Sequence, residues 1–105
     1  MALSPKLVWN QFAKGVEIHR LWGTPTTRSG ALLRYAPGAK IPRHRHEGIE
    51  QIYVLIGSQR DHRGEYGAGS RIVNPPGSVH AVSSREGCVV FVVWERPNTF
   101  LDEPR

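Results

Sequence analysis

Two histidines one residue apart, His44 and His46, stand in the run "RHRHE"; Glu50 follows, and a third histidine, His80, comes just after a Pro-Gly turn in "NPPGSVH". Three neutral imidazoles and one carboxylate make a nitrogen–oxygen donor set of hard-to-borderline character. Such a set suits Fe, Mn, Ni, Co, Cu or Zn and does not suit Ca. Side chains alternate faces along a strand, so His44 and His46 point one way while Arg43 and Arg45 point the other. Gly48 permits a tight turn, after which Glu50 opens an apolar run and can return to the histidine side. Spacing alone leaves two readings open. A His-x-His on a polar strand is also what a solvated pair looks like, Glu50 alone is also a surface acid, and His80 alone is also a turn residue.

The elements that must hold these residues are short and extended. "LVWNQF", "VEIHRLW", "GALLRYA", "KIPRHRH", "EQIYVLIG", "SQRDHRG", "SRIVNPP", "SVHAVSS" and "CVVFVVW" are separated by Gly, Pro, Ser or Asn. No longer window keeps a helical apolar period. The pattern predicts an all-β sandwich or barrel with at most a turn of helix at either end. Pro42 has no backbone donor, which places the histidine-bearing strand at an edge or beside a bulge. "IYVLI" and "CVVFVVW" are apolar on both faces, so one face can fill a barrel while the other needs a cover. The N-terminal segment with Trp9 and Phe12 is one candidate cover. A second subunit is the other, and a homodimer is therefore expected.

The chain has 105 residues, 39% of them apolar and 22% charged, which suits one globular domain with a modest core. No apolar run is long enough to span a membrane, and "MALSPKLVWNQFAKG" lacks the apolar region of a secretory signal. The single cysteine, Cys88, excludes an internal disulfide and a cysteine-built zinc cluster, so a cytoplasmic location is expected. A net charge of +5 raises nucleic-acid binding, but Arg20, Arg28, Arg34, Arg60, Arg71, Arg85 and Arg96 stand singly, and no basic stripe forms. Nucleic acid is not an expected partner. "GAGSR" is not followed by a helix and is no phosphate loop. His19 and His62 lie in neither motif-like stretch and His62 reads as solvated, Gln51 and Tyr53 have the wrong parity to join Glu50, and Trp9, Trp22 and Trp94 read as core or interface. Cys88 opens an apolar strand and reads as buried and inert. No catalytic residue beyond the donors is assigned.

Two longer stretches carry a resemblance. "GAKIPRHRHEGIEQIYVLIG" holds Gly38, His44, His46, Glu50 and Gly57, and "GSRIVNPPGSVHAVSS" holds Gly69, Pro75, Gly77 and His80. Together they resemble the two motifs of the cupin superfamily (RmlC-like), with Ser84 where the second motif ends in Asn. "ALLRYAPGAKIPRHRHEG", "DHRGEYGAGSRIVNPPGSVH" and "SREGC" further resemble the cupin domain of ChrR-type anti-sigma factors, over roughly residues 31–92. The resemblance implies a small jelly-roll barrel, a double-stranded β-helix. Residues 1–105 would form a single cupin domain, with N-terminal strands in 7–22, the barrel over about 31–94 and a tail from 95–105. It also implies that His44, His46, Glu50 and His80 bind one divalent metal ion, with no other cofactor. Those anti-sigma factors carry a separate N-terminal helical domain with a zinc site. Here the barrel begins almost at once, so anti-sigma activity is not expected.

Such a centre requires neutral imidazoles and an ionised Glu, so binding is expected to weaken as pH falls through about 6.5. Four protein ligands around a six-coordinate ion leave two adjacent positions, which suit a small anionic or diketone-like ligand. Related cupins include dioxygenases, isomerases and plain sensors. The first expectation is a metal-dependent dioxygenase acting on such a small molecule. The alternative is a non-catalytic, ChrR-like metal-bearing sensor or regulatory binding module.

Overall fold

The computed structural model describes residues 7–101. The strands are β1 (Asn10–Ala13), β2 (Val16–Trp22), β3 (Ser29–Tyr35), β4 (Lys40–Arg45), β5 (Glu50–Asp61), β6 (Gly64–Gly67), β7 (Arg71–Asn74), β8 (Val79–Ser83), β9 (Cys88–Trp94) and β10 (Thr99–Phe100). No helix occurs among the described residues, and so none there is long and apolar enough to cross a membrane. Every pairing is antiparallel, in the order β1-β2-β3-β9-β5-β8-β4-β10, with β6 and β7 also on β5. The sheet curls on itself into the all-β barrel that the short strands predicted.

β5 is the spine. Its first half lies between β9 and β7, and its second half pairs with β6 and touches β8. The stretches "EQIYVLIG" and "SQRDHRG", read from the sequence as two strands, are therefore one. Gly57 caused the misreading, because a glycine inside an apolar run looks like a break. Instead it turns the strand: the register slips between Val54 and Ile56, and Gly57 adopts φ 77°. A Cβ at Gly57 would sit 2.1 Å from the Gly87 carbonyl oxygen, so only glycine fits this corner.

Alternation along the strands sets the core. Val16 and Ile18, Ala31, Leu33 and Tyr35, Ile52 and Val54, and Val90, Val92 and Trp94 all face inward. Each fully buried aliphatic side chain contributes about 1.5–3 kcal/mol, so this lining is the main source of stability. Phe12 stacks on Trp94 with ring centroids 5.8 Å apart, so it packs against the interior rather than covering the outer face. That outer face keeps Trp22, Phe91 and Tyr53 in an aromatic row, with Trp22 46% exposed.

β4 contains the irregularity that Pro42 signalled. It pairs Ile41 with Val82 and then His44 with His80, three residues advancing against two. The extra residue is a β-bulge, with Pro42 and Arg43 both turned outward. Ile41 and His44 consequently both face the interior. The polar tail also turns inward: Thr99–Phe100 pairs with β4 over the barrel mouth, while residues 102–105 lie outside the described residues.

Candidate metal centre

The four residues singled out by spacing come together. His44 and His80 sit directly opposite each other on β4 and β8, so their side chains share a face. His46 follows the end of β4, and Glu50 opens β5 after the Gly48 turn. The imidazole centroids lie 4.7–5.1 Å apart. One donor atom from each of the four residues falls within 4.8 Å of all the others, close to the donor span around a first-row ion. All four side chains are buried, none more than 4% exposed by residue.

Hydrogen bonds fix the tautomer of each imidazole. His44 Nδ1 donates to the Pro42 carbonyl at 2.8 Å. His80 Nδ1 donates to Asp61 Oδ2 at 2.9 Å. His46 Nδ1 lies 2.9 Å from Ser78 Oγ and 3.1 Å from the Ser78 carbonyl. The Ser78 hydroxyl spends its own proton on the Pro75 carbonyl, so towards His46 it can only accept. With each proton on Nδ1, the Nε2 lone pairs are free, and those of His46 and His80 are buried without a hydrogen-bond partner. Orphaned polar atoms in a dry interior are costly unless something fills their valence.

Glu50 is held as firmly. Oε1 accepts from Asn74 Nδ2 at 2.9 Å, and Oε2 accepts from Trp94 Nε1 at 2.6 Å and from Asn98 Nδ2 at 3.3 Å. Burial pushes this carboxyl upward, but the adjacent His46 imidazole and the hydrogen bonds from Asn98 and Asn74 outweigh it and hold the group at about 2. His46 Nε2 lies 3.0 Å from Glu50 Oε1. With the histidine proton on Nδ1, both atoms present lone pairs, and the contact is favourable only with a proton or a cation between them. Burial lowers His44 and His80 despite the acceptors on their Nδ1 atoms, favouring the neutral form that a ligand needs. Donor chemistry, orphaned nitrogens and an anionic oxygen therefore fit a divalent transition ion. Beside the cluster the free space is only about 20 Å³, room for a single water.

A surrounding layer escaped the sequence reading. Asp61 accepts from His80 and is clamped by Arg63, whose Nη2 lies 2.6 Å from both Asp61 Oδ2 and Asn74 Oδ1. A continuous chain therefore runs from His80 through Asp61, Arg63 and Asn74 to Glu50. Burial raises Asp61, but its bonds to Arg63 and His80 dominate and hold it at about 2. Asn74 and Trp94 flank Glu50 in the sheet register, on β7 and β9 respectively, so the pairing that builds the strands also delivers their donors. Trp94 is thus core, as read, and a partner of the site as well. His62 is exposed as expected, and His19 stays outside the cluster, bonded to the Val8 carbonyl. Gln51 and Tyr53 face away from Glu50, and Cys88 is buried, with burial pushing its thiol up. Ser84, standing for the motif Asn, is fully buried and donates to the Ser58 carbonyl at 2.6 Å, a structural role away from the donors.

Comparison with known proteins agrees with this architecture. The family profile of the ChrR cupin-like domain matches residues 2–96. No curated protein matches the chain in sequence. Among solved structures, an RmlC-like cupin protein from Ralstonia eutropha JMP134 is similar at TM-score 0.81 and 24% identity, covering 91% of this chain and 68% of that one. An acetylacetone dioxygenase from Acinetobacter johnsonii is similar at TM-score 0.85 and 17% identity, over 98% of this chain and 77% of that one. The Rhodobacter sphaeroides SigE complex with the anti-sigma ChrR matches at TM-score 0.76 and 25% identity, over 86% of this chain and 50% of the matched one, so the chain spans half of that relative. With an all-antiparallel barrel, the two-motif donor set at its centre and a family match over nearly its whole length, the chain belongs to the ChrR cupin-like domain family of cupins.

Proposed function

We propose that residues 1–105 form a single metal-binding cupin domain in which His44, His46, Glu50 and His80 hold one divalent transition-metal ion. The observation that carries this is the set of buried Nε2 lone pairs, left free because each Nδ1 proton is committed elsewhere, facing an anionic Glu50. The ion would supply Lewis-acid or redox chemistry, and the protein residues fix its donors and exclude bulk water. The proposed activity is that of a metal-dependent dioxygenase acting on a small anionic or diketone-like molecule. It is supported by the donor set and by the structural likeness to the acetylacetone dioxygenase. The test is elemental analysis after reconstitution, followed by oxygen uptake with Fe(II) and acetylacetone. About one ion per chain is expected for the wild type, and none for the His44→Ala/His80→Ala variant. Equal, negligible metal in both would remove the metal reading, whereas full loading without oxygen uptake would remove the dioxygenase alone.

A second reading, a ChrR-like metal-bearing sensor, is favoured by the small free space at the cluster, which leaves no room for a substrate while β10 stays in place. A sensor would show no turnover and would change its association when metal is removed. Under either reading we place the protein in the cytoplasm and propose a homodimer through the outer aromatic row of Trp22, Phe91 and Tyr53. Light scattering at micromolar concentration checks this, with Phe91→Lys expected to give the monomer.

A further inference from the structure

A second cavity of about 120 Å³ lies beside the centre, between β2, the loop before β3 and the C-terminal segment. Phe12, Trp94, Asn98 and Phe100 line both this cavity and the small space at the His/Glu cluster, so the two spaces share a wall. The unusual residue in it is Arg20, which follows Val16 and Ile18 on the inward row of β2. Its Nη1 donates to Ser29 Oγ at 2.8 Å, and its Cζ lies 5.8 Å from the Trp94 ring centroid. Among the described residues no carboxylate pairs with it, and its remaining donors have no acceptor. Ser29 is 2% exposed, and its hydroxyl accepts from Arg20 while nothing described accepts its own proton. A partly enclosed guanidinium with open donors, beside a buried hydroxyl with a proton to give, is a costly arrangement for an empty cavity and a good one for an anion. Burial also lowers the Arg20 guanidinium, in keeping with a cation held without a counter-charge.

The walls indicate what the anion carries. Trp94 stacks with Phe12 at 5.8 Å and 16°, and Phe100 meets Phe12 edge-on at 6.4 Å. A guanidinium fork favours a planar carboxylate, and the aromatic walls favour a flat, apolar tail. We propose that this cavity is a carboxylate-binding subsite, in which Arg20 and Ser29 hold the carboxylate of a small unsaturated acid while its tail lies along the wall formed by Trp94, Phe12 and Phe100. The inference deepens the proposed function by naming one end of its anionic ligand. It rests on that reading only for what the ligand's other end meets at the centre.

The test follows the Arg20 side-chain N–H and the Trp94 indole N–H by ¹H–¹⁵N NMR on the full chain, titrated with sodium crotonate and with its neutral isostere crotonamide. Crotonate is expected to shift both signals saturably and to bind about tenfold or more tightly than crotonamide. Arg20→Gln should bring crotonate down to the crotonamide level, and Arg20→Lys should restore part of the difference. Equal affinity of the acid and the amide for the wild type overturns the proposal without needing any variant to fold, as does crotonate binding that Arg20→Gln leaves unchanged. The titrations are run on metal-free and on zinc-loaded protein. Carboxylate binding that persists in a metal-free His46→Ala variant supports the subsite even where the metal reading fails, and full zinc loading with no acid preference sinks the subsite alone.

Discussion

Two polar clusters lie on either side of the Trp94 indole, and they are built in opposite ways. On one side every proton is assigned: His44, His46 and His80 each give Nδ1–H to a fixed acceptor, and both oxygens of Glu50 are occupied. On the other side, among the described residues, Arg20 has one hydrogen bond and open donors. The first cluster is over-determined, with only the inward lone pairs left. The second is under-determined, held by a single hydroxyl. Over-determination is what pins a donor set for an ion, whose bonds tolerate little displacement. Open donors suit a ligand that comes and goes, because they take its charge without first breaking bonds within the protein.

The largest effect should come from breaking the first cluster. His46→Ala removes a donor and should cost more than about 100-fold in Co(II) affinity, a loss beyond that of changes around the ligands. Competition against a chromophoric chelator measures it. Asp61→Ala leaves all four donors but frees the His80 Nδ1 proton and the Arg63 fork, and should cost about 10–100-fold in the same titration. Asp61→Asn retains an acceptor and should fall between this variant and the wild type. An Asp61→Ala protein with wild-type affinity would show that the chain from His80 to Glu50 is bystander structure.

Acid probes the same cluster without mutation. Burial lowers His44 and His80 in the folded protein, so as pH falls below 6.5 the unfolded chain takes up protons first, and the metal-free fold loses stability. Glu50 and Asp61, both held at about 2, add a second loss, which begins near 4.5 and 3.8 and runs down to about 2. Urea melts at a series of pH values should show both stages. Metal retention should extend below the 6.5 expected from free imidazole, since burial disfavours the protonated His44 and His80. The smallest effect belongs to the second cluster: Arg20→Gln should leave Co(II) affinity within about twofold and the urea midpoint nearly unchanged, because an under-partnered guanidinium contributes little to the fold.

The donors themselves were legible because they are local. Strand alternation and a Pro-Gly turn made His44, His46, Glu50 and His80 candidates, and the resemblance to the two cupin motifs joined them into one set. Their supports were not, because each depends on which strands pair and in what register. Asn74 and Trp94 are far from Glu50 in sequence and become its neighbours only when β7 and β9 flank β5. Asp61 went unnoticed beside the more conspicuous His62, and only the continuity of β5 through Gly57 carries it to His80. Arg20 looked like one more scattered surface charge. Its parity with Val16 and Ile18 was the signal that it faces inward.

The bulge in β4 makes pairing register, rather than residue identity, the sensitive variable there. Upstream of Pro42–Arg43 the inward positions have odd numbers, and downstream they are even, as Ile41 and His44 show. Regular pairing through Pro42–Arg43, without the bulge, would keep Ile41 inward and aim both imidazoles at solvent, although every donor would still be present in the sequence. A homologue that lacks one of these two residues needs no bulge and still turns its His-x-His inward, so a one-residue gap here in an alignment leaves the cluster intact.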